Sequence, residues 1–479
     1  MSTMLTSGGA PTGKLSRRNF LRAAATGVAG ALLVACAPPA SLGGTNNAEQ
    51  PAAGAAKPSV LVFECCWDAE HIEAGKKLYN QYRSAHPDVD VIDFWPAPGD
   101  DWTTKLLAKV AAGDQLDIIW WCASHHKFAE EGRLLDLRDL AEGDSDFKLD
   151  DFQSVGVDFC FDKPGRGRAM WGLPTNYATV LLWYNKKMFD NAGVAYPDSS
   201  WTYQSMLEAA QQLTKDTNGD GTPDEWGVSI PNDGWYYEPV LNAFGGGIVE
   251  ISQDDPCLLS MPESVEALQW LQDLLYKHKV APTPADMAGL GSQAMLISDK
   301  LAMGFWPEWA QFEFLPAHAD AGLEYGVTLL PTGPAGRVTN YWAGITSVTS
   351  TAKSPEAAWD VAKFIVSDDY QRMMTVTLPE SPAARISTTE FRFKEYDKYP
   401  DDRSALIESP QYGRQYYVVD RYGKEMGDIV TPGLDPMWEG KEAPAALVDD
   451  ICAKVVAKAD ELKAAAGSAS MGICRPCSS

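Results

Sequence analysis

Between residues 58 and 121 the signals run strand, helix, strand, helix, strand, and this order narrows the fold more than any other feature. Val60 to Phe63 is a short apolar strand. Residues 70–85 follow as a helix, with Gly75, Leu78, Tyr79 and Tyr82 on one face. His86-Pro87 stops it, and Val89-Asp90-Val91 alternates as a second strand. Trp102 to Ala112 is a helix closed by Gly113, and Leu116 to Trp120 is a third strand. Such alternation predicts a parallel sheet covered by helices. Further on, Leu301 to Phe305 and Gly326 to Leu330 read as strands. Residues 355–367 read as a helix, with Ala358, Val361, Ala362 and Ile365 on one face, and residues 446–463 as the last helix.

With 479 residues the chain is long enough for more than one domain. Its net charge of −25 argues against nucleic acid as a partner, since a phosphate backbone wants a basic face. Mean hydropathy is −0.23, and no apolar run reaches the ~20 residues a spanning helix needs. Residues 1–36 read as an export address. Ser16-Arg17-Arg18-Asn19-Phe20-Leu21 resembles a twin-arginine signal, and a weakly apolar stretch from Ala23 to Ala35 follows. Leu33-Val34-Ala35-Cys36 resembles a bacterial lipobox, which makes Cys36 the lipidation site. Residues 37–57, rich in Ala, Pro, Gly, Asn and Ser, read as a flexible tether. The expected location is therefore outside the bacterial cell membrane, held by lipid alone. Eight cysteines remain, whose 105 pairings the sequence does not sort. Cys474 and Cys477 have C-x-x-C spacing in a short polar tail (467–479), where a local disulfide or free thiols are expected rather than a metal site.

Several segments, in order, resemble the extracellular solute-binding proteins of ABC importers, in the large sugar-binding group that includes maltose-binding protein. They are His86-Pro87-Asp88-Val89-Asp90-Val91; Lys105-Leu106-Leu107 through Ala112-Gly113-Asp114-Gln115-Leu116-Asp117-Ile118-Ile119; Gly172-Leu173-Pro174; and Leu182-Trp183-Tyr184-Asn185-Lys186. Ser298-Asp299-Lys300-Leu301-Ala302-Met303 and Ser354-Pro355-Glu356-Ala357-Ala358-Trp359 continue the series. The resemblance implies a periplasmic-binding-protein-like α/β fold, with two α/β lobes, a hinge and an interlobe ligand cleft. The first lobe would take 58–175 plus 345–410, and the second 176–344 plus 411–466. It also implies a carbohydrate ligand, ABC permease subunits as partners, a monomer, and no catalysis.

A sugar offers apolar C–H faces and a rim of hydroxyls, so its site needs flat rings and orienting polar groups. The loops that the resemblance places at the cleft carry both. They hold Trp67 and Asp68; Trp121, Ser124 and His125; Asn176 and Tyr177; Trp235; Trp306, Glu308 and Trp309; Trp342; and Trp438. Asp216-Thr217-Asn218-Gly219-Asp220-Gly221-Thr222-Pro223-Asp224-Glu225 has acidic or amide residues at positions one, three and five and glycine at six. Asp216, Asn218, Asp220, Thr222, Asp224 and Glu225 would supply oxygen ligands to a structural calcium ion. Position twelve holds Gly227, and the loop resembles that of alginate-binding relatives. The alternative is an Asx turn. Two other functions stay open: a secreted carbohydrate-active enzyme, with Asp68 and Glu308 as its carboxylates, and a binding protein that feeds a sensor.

Overall fold

The computed structural model describes residues 57–470, except 66, 99–100, 122–124, 162–168, 251–255, 288, 378–381, 396–398 and 418–421. The signal with Cys36, nearly all of the tether, Ser124 and the Cys474/Cys477 tail lie outside the described residues.

The opening alternation is observed. β1 (Ser59–Phe63), α1 (Ala69–Ala85), β2 (Asp90–Phe94), α2 (Trp102–Ala112) and β3 (Ile118–Trp121) follow in order. β1 pairs in parallel with both β2 and β3. α2 ends where Gly113 turns left-handed at φ 74°, a conformation open to glycine at no steric cost. Asp117, fully buried, accepts the Leu61 amide at 2.8 Å and the Gln115 side-chain amide at 2.9 Å, tying the start of β3 to β1.

Two long strands then leave this sheet. β4 (Leu173–Asn185) is followed by α3 (Tyr203–Leu213), β5 (Trp226–Ser229), α4 (Gly234–Phe244), α5 (Pro262–Tyr276), β6 (Leu301–Pro307), α6 (Gln311–Ala321) and β7 (Tyr325–Thr328). β8 (Thr339–Val348) returns, followed by α7 (Pro355–Ile365), β9 (Gly413–Gln415), α8 (Gly423–Trp438) and α9 (Val448–Ser470). Strand order is β2-β1-β3-β8-β4-β6-β5, with β7 on β4 and β9 on β8. The first half of β4 pairs with β8 and its second half with β6 and β7. β4 and β8 are thus the crossover between two α/β lobes. They approach so closely that a Cβ on Gly344 would lie 2.1 Å from the Asn176 side-chain oxygen.

The buried apolar residues form separate cores. One, around Phe63, Ile118, Trp121 and Trp359, belongs to the β1–β3 side. A second, around Leu182, Leu241, Leu271, Val430 and Val455, fills the space under α4, α5, α8 and α9. A third gathers Trp183, Trp306, Phe314 and Tyr325, and takes in Ala405 and Leu406 from the stretch the sequence assigns to the first lobe. Trp342 and Tyr416 pack against both large cores. Cys257 and Cys452 form a disulfide across 195 residues, pinning α9 to the segment before α5. Cys65 is disulfide-bonded as well, and Cys160 is a buried free thiol.

Candidate functional site

The carboxyl end of a parallel strand is where an open α/β sheet exposes its loops. Trp67 follows β1, and its ring lies 4.9 Å from Trp120 on β3 and stacks at 5.1 Å on His71 of α1. Trp67, Trp120, Thr175, Asn176 and Tyr370 enclose a crevice of about 10 Å³. The Trp67 indole N–H donates to Glu64 at 3.3 Å, and the Tyr79 and Tyr370 hydroxyls donate to the same carboxyl at 2.6 and 3.2 Å. Burial pushes this carboxyl up to about 7, against the pull of its three donors. His71 meets Phe312 edge-on at 5.6 Å. Phe312, on α6, is 37% exposed, an uncommon state for so large an apolar ring.

The second lobe contributes a different platform. Asp233 caps α4 by accepting the Trp235 amide at 2.9 Å, which fixes Trp235 on the first turn. Trp235 and half-buried Trp309 lie nearly parallel, 16° apart, with centroids 6.1 Å apart. Tyr416, just after β9, sets its ring edge-on to Trp235 at 5.1 Å. The Trp235 indole N–H has no hydrogen-bond partner among the described residues. Trp342, between the two cores, is half-buried on β8.

Of the residues expected from sequence, Trp67 and Asn176 therefore meet at one crevice, Trp235 and Trp309 form the opposing platform, and Trp342 stands at the crossover. The others sit elsewhere. Trp121 is 1% exposed and packs edge-on against Phe128 in the first core. Successive residues of a strand face opposite ways, so Trp120, also buried, takes the crevice-facing position in its place. His125 is buried, with Nε2 3.1 Å from the Phe159 carbonyl, and burial beside His126 pushes its pKa well down. Tyr177 is buried on Tyr341 and donates to the Leu406 carbonyl at 3.0 Å. Trp306 is core against Phe314, and Trp438 is core against Tyr237. Asp68 caps α1, accepting the amides of Glu70 and His71 at 2.8 and 2.9 Å. Glu308 is fully buried and accepts the Thr179 amide at 2.9 Å. Sequence reasoning passed over Trp120, Phe312 and Tyr416. Only Trp120 carried a signal, as neighbour of the tryptophan chosen.

The loop at 216–225 closes on itself. Asp216 accepts the amides of Gly219 and Gly221 at 2.7 and 2.8 Å, and Asp224 accepts the amide of Thr217 at 2.8 Å. Among the described residues no group of three or more His, Cys, Asp or Glu side chains is gathered as a metal ion would require. The carboxylates in this state serve backbone amides, as an Asx turn does.

Comparison with known proteins places this geometry. The family model for bacterial extracellular solute-binding proteins matches residues 68–372. A putative binding protein of Brucella abortus is 22% identical over 386 residues, covering 79% of this chain and 88% of its own. An ABC substrate-binding protein of Listeria monocytogenes, solved in complex with cycloalternan, has a TM-score of 0.68 at 24% identity, over 84% of this chain and 98% of that one. The GacH receptor of Streptomyces glaucescens, solved unliganded and with acarbose and an acarbose homolog, has a TM-score of 0.65 at 20% identity, over 85% and 98%. Two lobes on crossover strands, aromatic groups on both sides, and a match over well more than half of the chain lead to one assignment: the protein belongs to the bacterial extracellular solute-binding protein family.

Proposed function

We propose that this chain captures a sugar or oligosaccharide outside the bacterial membrane and delivers it to an ABC permease. The observation that carries the reading is the Trp235–Trp309 pair, two near-parallel rings beside the crossover strands, with the buried Trp235 indole N–H unmatched among the described residues. Rings of this kind take the apolar face of a pyranose, and an unmatched N–H can donate to a hydroxyl oxygen. The relatives solved with cycloalternan and acarbose support the same ligand class. A hydrolase would need two available carboxylates across one cleft. The pair expected for that role is committed elsewhere, Asp68 to the α1 cap and Glu308 to Thr179. The test is calorimetric titration with gluco-, arabino- and manno-oligosaccharides, run beside a reducing-sugar assay. Binding without turnover is expected, and turnover of a bound sugar would overturn the reading.

The same proposal includes a lipid anchor at Cys36 after twin-arginine export, supported by the order of arginines, apolar stretch and small-residue-Cys. A Cys36→Ser chain should leave the membrane fraction. It also includes calcium at 216–225, supported by the spacing of its oxygen side chains alone. Chelator should then lower the melting temperature and calcium restore it. An unchanged melting temperature leaves the Asx turn.

A further inference from the structure

Behind the Trp235 platform lies a second cavity, of about 230 Å³, lined by residues of α4, the segment after it, β9 and the chain leaving β9. Glu238, Asn242, Glu250, Arg414, Gln415 and Tyr416 give it its polar character. Glu238 is 4% exposed. The Tyr417 amide and the Asn340 side chain bond to its carboxyl, yet Oε2 has no partner among the described residues. Gln415 lines the same cavity, and its buried Nε2 also has no partner among them. Both atoms are withdrawn from water and unmatched, which costs folding free energy that a partner would recover.

We propose that this cavity is a binding subsite for one neutral, hydroxyl-bearing unit, the terminal monosaccharide of the captured oligosaccharide. This rests on the sugar-binding reading above. A hydroxyl is at once a donor and an acceptor, so vicinal hydroxyls can accept from the protonated Glu238 Oε2 and from Gln415 Nε2. The charges around the carboxyl offset each other. The Arg414 guanidinium, bonded to Asn242 Oδ1 at 3.0 Å, favours its anion, and Glu250 opposes it. Burial holds Glu238 mostly protonated at neutral pH, with its pKa raised to about 8. A neutral ligand fits such a site better than a charged one. Tyr416 joins cavity to platform, since it lines the first and lies edge-on to Trp235 in the second.

The test uses the mature chain and the gluco-, arabino- and manno-oligosaccharides of one to four units. Affinities are measured for the parent, Trp309→Ala, Glu238→Leu and Gln415→Leu. Trp309→Ala should weaken every length. Glu238→Leu and Gln415→Leu should weaken only the longer members, by about tenfold, and leave the shortest bound unit unchanged. Melting curves confirm that each variant folds, and the second variant stands in if the first does not. If both leucine variants bind all lengths as the parent does, or lose all lengths equally, the subsite is overturned while sugar binding stands. If the parent binds none of the panel, both readings fall together.

Discussion

The two aromatic groups that border the crossover are built on opposite principles. In the first lobe the indole N–H of Trp67 is spent on Glu64, the ring is wedged between Trp120 and His71, and the enclosed crevice is about 10 Å³. In the second, the buried Trp235 N–H has no partner among the described residues, Trp309 is half-buried, and a cavity of about 230 Å³ lies behind them. A side chain whose polar atom is already matched contributes to the fold. An unmatched atom can still gain from a ligand where a cavity and a half-buried ring adjoin it, which Trp121, unmatched but packed on all sides, does not have. On the proposed reading the first group is a preformed wall, and the second is the grip.

The largest effect should come from confusing wall and core. Trp121 is packed on all sides, so Trp121→Ala leaves a cavity and should lower unfolding free energy by about 3–5 kcal/mol in urea. Its affinity per folded molecule should hardly change. Loss of affinity with stability intact would put Trp121 in the cleft and reverse the assignment of β3 faces.

Next in size is the grip. Trp309→Ala removes one face of the platform and should weaken sugar binding by about 1–2 kcal/mol, roughly tenfold. Trp309 is half-buried, so the melting temperature should move less than in Trp121→Ala. Equal effects of the two variants on stability would erase the contrast between the lobes.

The opening α/β order was legible because its signals are local. His86-Pro87 and Gly113 punctuate helices whose apolar faces repeat on schedule. The site was only half legible. Trp120 and Trp121 are adjacent, and every residue of β3 is buried, so alternation shows that they face apart without saying which faces the core. Asp68 had a plainer reading as a helix cap just before Ala69, which its residue type favours. Glu308 could not be read, since its partner Thr179 is 129 residues away. α8 is hidden in the sequence by Pro432 and Pro436, which break the pattern of a helix that tertiary packing nonetheless holds, so nothing local marks Trp438 at its end as core. The Cys257–Cys452 link was one of many pairings equally open to a sequence.

The lobes also separate by pH. Each carries one buried carboxyl raised by desolvation: Glu64, to about 7, under Trp67, and Glu238, to about 8, behind Trp235. Asp93 adds its charge against Glu64, and Glu250 adds its own against Glu238. In the unfolded chain both titrate near the ordinary glutamate value, about 4.3. Between that value and the folded one, the native state holds a proton that the unfolded state has released. Stability must therefore fall as pH rises through this window. The stabilisation is complete below about pH 4 and gone above the folded pKa, at a cost of a few kcal/mol at most. Melting temperatures from pH 4 to 9 should decline for the parent. Glu64→Gln should remove the part of the decline that ends near 7, and Glu238→Gln the part that continues to about 8. Curves for Glu64→Gln and the parent that run parallel throughout would mean that Glu64 stays ionised beneath Trp67. Its three donors would then outweigh burial, and the first-lobe wall would be anchored by a charge.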